Sequence, residues 1–154
     1  MPKPISILFV ATEAEPFIST GSIGDVAGNL PKNVKALGHD IRVMLPGYSL
    51  ISNRRFQIHN LLRMKDIDIP LGSNSERAYV KSSYLNSENH KVLVYFLANE
   101  RYFNREGLYF HPLTKSISLI MMSGSSSFVV AFSKRSNVYS GNPILYIAMI
   151  GNAV

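Results

Sequence analysis

The first apolar run of the chain lies at Ile5–Ala11, where only a serine interrupts the apolar residues. A nearly continuous run of this length is typical of a strand that is buried on both faces of a sheet. Residues 12–24 are rich in Glu, Pro, Ser and Gly and predict a loop. A helix is then predicted from about Gly24 to Leu37, because apolar residues recur there at helical spacing. One apolar face is predicted for this helix, formed by Val26, Leu30, Val34 and Leu37.

The ends of the helix and the next strand carry further signals. Asp25 lies in the predicted first turn, where a carboxylate suits the helix dipole. Pro31 predicts a kink or a short first segment, and Gly38 predicts a C-terminal cap. A second strand is expected at Asp40–Leu45, ended by Pro46-Gly47. Strand, loop, helix and strand in this order predict a right-handed βαβ unit.

The following segments predict a larger sheet. Antiparallel strands are expected within Phe56–Ser83, with turns around Pro70–Ser75. Lys91–Leu97 reads as another buried strand, and Asn99–Tyr109 as an aromatic and charged loop. The fold class is therefore α/β.

Composition narrows the class of protein. The 154 residues fit one domain or part of one, and 46% hydrophobic with 17% charged residues is typical of a globular chain. The absence of cysteine excludes disulfides and cysteine-based metal sites, and the four histidines show no metal-ligand spacing. Neither a signal peptide nor a membrane span is expected, because the late apolar run Ile144–Ile150 is too short. We therefore expect a cytoplasmic protein.

The net charge of +6 raises the question of an anionic partner. Basic residues form no block, and the densest stretch is only Asn53-Arg54-Arg55. Nucleic-acid binding stays an alternative, although the patterned basic footprint of such proteins is missing. A membrane surface and a nucleotide-sugar are the other anionic partners that the charge allows.

A glycine-containing loop precedes the helix at Ser19–Val26. Gly21 and Gly24 are three positions apart, so the backbone can approach a phosphate closely, and the helix N-terminus supplies free N–H groups. The same spacing also occurs in simple tight turns. It is neither the dinucleotide-binding glycine motif nor a P-loop.

Four segments together resemble the ADP-glucose-dependent glycogen/starch synthases, and the resemblance extends in register over Ile5–Tyr109. They are LFVATEAEPF at 8–17, TGSIGDVAGNLPK at 20–32, LGHDIRVMLP at 37–46 and YFNREGLY at 102–109. The resemblance implies the GT-B fold, in which two Rossmann-like domains face a cleft. This chain then corresponds to the N-terminal half, with an incomplete sheet. It also implies retaining transfer of glucose from ADP-glucose to the non-reducing end of an α-1,4-glucan. No cofactor, metal ion, nucleic acid or membrane partner is implied.

By this resemblance the donor-binding positions are Ser19, Gly21, Ser22, Gly24 and Asp25, and no catalytic residue is assigned. The family's donor-binding lysine falls on Ser19, and the second glycine of its Gly-Gly pair falls on Ser22. A neutral hydroxyl replaces a point charge for phosphate, and a serine can block close approach or a positive φ. We therefore predict weakened donor binding.

Several other side chains have two interpretations. Glu13 and Glu15 are candidates for general acid–base chemistry, but we interpret them as loop and surface carboxylates. Four aromatic residues are candidates for stacking on a sugar, with core packing as the default: Tyr95, Phe96, Tyr102 and Phe103.

The composition changes near Tyr109. No acidic residue follows Glu106, and serine becomes dense. The resembled family continues with Asn-Asp-Glu-Arg-Phe and later His-Cys-Asn-Asp-Trp, and both are missing here. Read one nucleotide back, the codons of residues 120–125 and 140–152 are compatible with these two segments. One aspartate in each is forced, because methionine has a single codon.

We interpret this change as a frameshift between Tyr109 and Ser116, natural or due to a sequencing error. The chain then divides into residues 1–109, part of a synthase N-terminal catalytic domain, and a divergent tail, 110–154. Residues 116–154 are expected to be poorly ordered or non-native. We also expect the chain to be truncated and inactive alone. Two alternatives remain: a non-catalytic glucan- or nucleotide-binding module, and a basic nucleic-acid-binding domain.

Overall fold

Seven strands of the described chain form one mixed sheet. The computed structural model describes residues 4–71, 74–104, 108 and 144–149. The elements are β1 (Ser6–Ala11), α1 (Ser22–Ala36), β2 (Asp40–Pro46), β3 (His59–Asn60), a 3₁₀ turn (Leu62–Met64), β4 (Ile67–Leu71), β5 (Asn74–Asn86), β6 (Lys91–Ala98), α2 (Glu100–Phe103) and β7 (Ile144–Met149). The strand order is β3-β5-β6-β2-β1-β7, with β4 paired to β5.

The centre of the sheet is parallel, and one side of it is antiparallel. Strand β1 pairs in parallel with β2 on one side and with β7 on the other, and β2 pairs in parallel with β6. Strands β3, β4 and β5 add antiparallel pairs beyond β6. The predicted α/β class and the β1–α1–β2 unit are confirmed, and the sheet is open, as the resemblance implied.

Apolar side chains cover both faces of the parallel strands. On β6, Val92, Val94 and Phe96 belong to the cluster that contains Ala27 of α1. Their neighbours Tyr95 and Leu97 belong to a second cluster on the other face. Alternation between two buried faces explains why β1, β2 and β6 read as nearly continuous apolar runs.

Helix α1 packs on the sheet through small residues, and the predicted apolar face is wrong. Its buried residues are Gly24, Ala27, Gly28 and Pro31, at helical spacing. Of the predicted face only Val34 packs against the core, whereas Val26, Leu30 and Leu37 are exposed. The physical reason is distance: a Cβ on Gly28 would lie 2.5 Å from the carbonyl oxygen of Glu15. A large side chain has no room on the packed side.

The ends and interior of α1 differ in how well they were predicted. Gly38 follows the helix with φ +90°, and its N–H donates to the Lys35 carbonyl oxygen at 3.0 Å. The predicted glycine cap is therefore confirmed. Pro31 does not shorten the helix, which runs unbroken through it from Ser22 to Ala36. The buried proline ring packs in the core, and this packing offsets the lost helical hydrogen bond.

The region after β6 holds two elements that the sequence interpretation lacked. Helix α2 begins after Asn99, whose side chain accepts from the Tyr102 N–H at 3.0 Å. Strand β7 lies within the tail and pairs Ile144 with Ser6 and Met149 with Ala11. The rest of the tail lies outside the described residues. Its predicted poor order, the boundary at residue 109 and the frameshift therefore stay predictions.

Candidate functional site

The loop between β1 and α1 lies at the carboxyl end of β1, where the strand order of the sheet reverses. From β1 the chain crosses through α1 to β2 on one side, and β7 lies on the other side. In open α/β sheets, ligands bind at the carboxyl ends of the strands at such a switch point. Residues 19–25 therefore occupy the position in which a ligand loop is expected.

Helix α1 begins in this loop with an open first turn. Gly21 is its N-cap residue, with extended backbone, and no side chain caps the helix there. The four residues of the loop that lead into the helix are exposed: Ser19, Thr20, Gly21 and Ser22. The first N–H groups of a helix have no partner within the helix, and their dipoles favour an anion. The geometry therefore suits a phosphate or carboxylate ligand.

Glu13 holds the loop through hydrogen bonds from a buried position. The interpretation of Glu13 as a surface carboxylate is therefore wrong. Its side chain is only 2% exposed. One carboxylate oxygen accepts from the backbone N–H of Thr20 at 2.5 Å and from the Thr20 hydroxyl at 2.8 Å. Charge-assisted hydrogen bonds of this kind are about twice as strong as neutral ones. Glu13 is therefore a positioning residue for the loop, whereas Glu15 is exposed as expected.

Backbone contacts hold the start of α1 against the preceding turn. The Glu15 N–H donates to the Gly24 carbonyl oxygen at 3.0 Å, and Ala14 exchanges backbone hydrogen bonds with Ile18. A Cβ on Gly24 would lie 2.2 Å from the Ser19 hydroxyl oxygen. Gly24 is therefore required for close packing inside the loop, whereas Gly21 faces open space.

The two positions that depart from the resembled family have different environments. Ser19 is exposed, and its hydroxyl donates to the Gly21 carbonyl oxygen at 3.2 Å. Ser22 is the first residue of α1, and the positive-φ residues of the described chain are Gln57 and Gly38. The expected conflict between a serine and a positive φ is therefore wrong for Ser22. Asp25 lies exposed in the first turn, as predicted.

Thr12, which the sequence interpretation did not single out, directly follows β1. It is 6% exposed, and its hydroxyl has no hydrogen-bond partner within the described residues. Buried hydroxyl groups are nearly always bonded, so an unpartnered one at the edge of a ligand loop marks a place for a water or ligand atom. Its position directly after the apolar run was the only sequence signal.

The other sequence candidates lie away from an open site. Phe96 and Phe103 are buried in the core, Tyr95 is buried on the other face of the sheet, and Tyr102 packs against the core. Core packing, the default interpretation, is therefore confirmed for these four aromatic residues. Within residues 4–71, 74–104, 108 and 144–149, no group of acidic residues and histidines is arranged to hold a metal ion. That same part of the chain contains no helix long and apolar enough to cross a membrane.

An open α/β sheet with a helix N-terminus at its switch point is the arrangement of a Rossmann-like domain, in which ligand loops lie at the carboxyl edge of the sheet. The chain belongs to the starch synthase catalytic domain family, whose pattern it matches over residues 6–126.

The sequence relatives are bacterial glycogen synthases. That of Chlorobaculum tepidum is 36% identical over 107 residues, which cover 70% of this chain and 22% of the relative. That of Bacillus cytotoxicus is 42% identical over 110 residues, covering 70% of this chain and 21% of the relative. The chain therefore spans about a fifth of the length of these relatives.

A solved structure shows the same fold. The catalytic domain of starch synthase IV from Arabidopsis thaliana, bound to ADP and acarbose, superposes with a TM-score of 0.71. The two are 17% identical, and the match covers 88% of this chain and 26% of the other.

Proposed function

We propose that this chain forms part of a glucosyltransferase that transfers glucose from ADP-glucose to an α-1,4-glucan, and that residues 19–25 bind the donor. One observation carries the proposal: the uncapped N-terminus of α1 and its glycine loop lie at the switch point of the sheet. Membership in the starch synthase family and the ADP bound to the Arabidopsis relative support a nucleotide-sugar as the ligand.

The interaction that we propose is made by the backbone. In residues 19–25 the only ionisable side chain is Asp25, so no cation in this loop neutralises a diphosphate. The helix dipole and the N–H groups at Ser22 and Ile23 remain as favourable partners, and such interactions contribute about 0.3–1 kcal/mol at exposed sites. Donor binding is therefore expected to be weak, and a lysine at position 19 is expected to strengthen it.

The test is a titration of ADP-glucose, ADP and adenosine into the chain and into its Ser19→Lys variant. One exposed charge-assisted contact to phosphate is worth about 1 kcal/mol, so the variant is expected to bind ADP about fivefold more tightly. Adenosine, which lacks phosphate, is expected to bind both proteins equally.

Leu37→Lys is the matched control. It adds the same charge at an exposed position between α1 and β2, which lies at the amino end of β2 and so at the opposite edge from the loop. Equal ADP affinities of the chain and Ser19→Lys, or an equal gain in Leu37→Lys, would count against a donor site at residues 19–25. Binding of a maltooligosaccharide without turnover would favour the non-catalytic alternative.

A further inference from the structure

A second concave site lies on the α1 face of the sheet, away from residues 19–25. Its volume is about 520 Å³, and its walls come from the turn at Glu15–Phe17, from α1, from the segment 55–59 and from β5. None of residues 19–25 lines this site. We call it the lateral groove. Its volume falls within the range of about 300–1,000 Å³ that is typical of small-molecule sites.

Positive charge dominates the lateral groove. Three cationic side chains line it, those of Lys32, Arg55 and Lys91, together with one carboxylate, that of Glu15. The ion pairs of the described residues lie elsewhere, so none of these basic side chains is paired with an acid. Unpaired cations that converge on one concavity attract an anion. Phosphate is an anion that both side chains bind, Arg through two parallel hydrogen bonds and Lys as a point charge.

Arg55 is held at the groove by its surroundings. Its guanidinium carbon lies 5.0 Å from the centroid of the Phe56 ring, at cation–π distance. Its backbone N–H donates to the Ser52 hydroxyl at 3.2 Å. The Phe56 carbonyl oxygen accepts from the buried Ser83 hydroxyl at 2.6 Å, which fixes the segment to β5. A cation that is already ordered loses less entropy when it binds a ligand.

Neutral polar side chains accompany the cations. The amides of Gln57 and Asn86 line the lateral groove, as does that of Asn29, which donates to the Asp25 carbonyl oxygen at 3.0 Å and accepts from Lys32 at 3.4 Å. Gln57 has φ +50°, a left-handed conformation that a glutamine rarely adopts. Backbone strain of this kind persists where the surroundings require it and is concentrated at ligand sites. Amide groups both donate and accept hydrogen bonds, so they suit the hydroxyl groups of a sugar.

We propose that the lateral groove binds a phosphorylated sugar, with the phosphate on Lys32 and Arg55 and the sugar hydroxyls on the amides. The net positive lining accounts for the phosphate, and the volume leaves room for a hexose beside it. The proposal is independent of donor binding at residues 19–25, because the two sites share no lining residue.

The test is a calorimetric titration of the full chain with glucose 1-phosphate, inorganic phosphate and glucose. Arg55→Ala and Lys32→Ala are each expected to weaken glucose 1-phosphate binding about tenfold, the effect of one lost charged hydrogen bond. Arg54→Ala is the matched control, because it removes the same charge from the neighbouring residue, which does not line the groove. Arg54 and Arg55 are exposed and Lys32 is half-buried, so unchanged melting temperatures are expected and verify folding.

Tight binding of glucose 1-phosphate to the chain and to Arg54→Ala, with weak binding to the two groove variants, supports the proposal. Gln57→Ala tests the contact to the sugar separately from the contact to the phosphate. It is expected to weaken glucose 1-phosphate binding and to leave the binding of inorganic phosphate unchanged. Three results overturn the proposal: no saturation with glucose 1-phosphate, an equal loss of affinity in Arg54→Ala, or inorganic phosphate binding as tightly as the sugar phosphate.

Discussion

Replacing Thr20 by valine removes one of the two hydrogen bonds that the buried Glu13 carboxylate accepts from the loop. The hydroxyl-to-carboxylate distance is 2.8 Å, and Glu13 is 2% exposed, so solvent screens this contact little on the Glu13 side. A hydrogen bond to a charged group contributes about 1.5–3 kcal/mol. Because Thr20 itself is exposed, we expect the low end, a loss of about 1.5 kcal/mol in the free energy of unfolding.

The assay is urea unfolding followed by circular dichroism, in a double-mutant cycle with Glu13→Leu, which keeps a similar volume and removes both acceptor oxygens. Glu13 has a further partner besides Thr20, so its single variant alone does not isolate this contact. The cycle does, and a coupling of about 1–2 kcal/mol is expected. Thr20→Ser keeps the hydroxyl and serves as the control, with a smaller loss. A coupling below about 0.5 kcal/mol refutes the argument that Glu13 holds the loop through Thr20.

The remaining predictions concern the helix, the gene and the reaction. Gly28→Ala is expected to lower the free energy of unfolding by about 1–3 kcal/mol, because its Cβ would lie 2.5 Å from the Glu15 carbonyl oxygen. Gly21→Ala, which meets open space, is expected to change it by less than about 0.5 kcal/mol, and equal thermal shifts would contradict this reasoning. DNA sequencing is expected to show TAC, ATT and GCA as the codons of residues 146–148, as the shifted frame requires; other codons would end the frameshift hypothesis. Labelled glucose from ADP-glucose is expected to stay unincorporated into maltooligosaccharide with this chain alone, and incorporation above background would show activity.

The strands were predictable because their burial has a simple pattern. β1, β2 and β6 lie inside the sheet with both faces covered, so nearly every residue is apolar. The packing face of α1 was not predictable from the largest apolar residues. The turn at residues 14–17 lies so close to it that Gly28 has no room for a Cβ beside Glu15, and all buried residues of the helix are glycine, alanine or proline. Hydrophobic periodicity does not report this distance.

The backbone of the candidate site was predictable from the sequence, whereas the Glu13 side chain that holds the loop was not. Two glycines before a helix already indicated the exposed loop and the helix N-terminus. Glu13 supports the loop and Glu15 does not, because the chain reverses at Ala14–Ile18. This reversal brings Thr20 over the Glu13 carboxylate. That reversal is a property of tertiary structure. Helix α2 was missed because four residues are too few for a periodic pattern, although Asn99 is a typical helix cap.

The pairing of β7 with β1 has a consequence for how the chain folds during synthesis. Residue 6 pairs with residue 144, one of the largest sequence separations that the chain allows. β2 and β6 are synthesised much earlier and complete the other side of β1 first. One edge of β1 therefore keeps unpaired N–H and C=O groups until residue 149 has left the ribosome. Contacts of such separation slow folding, and an open apolar edge pairs readily with other chains. The nascent chain is thus expected to keep an aggregation-prone edge until its last described strand emerges.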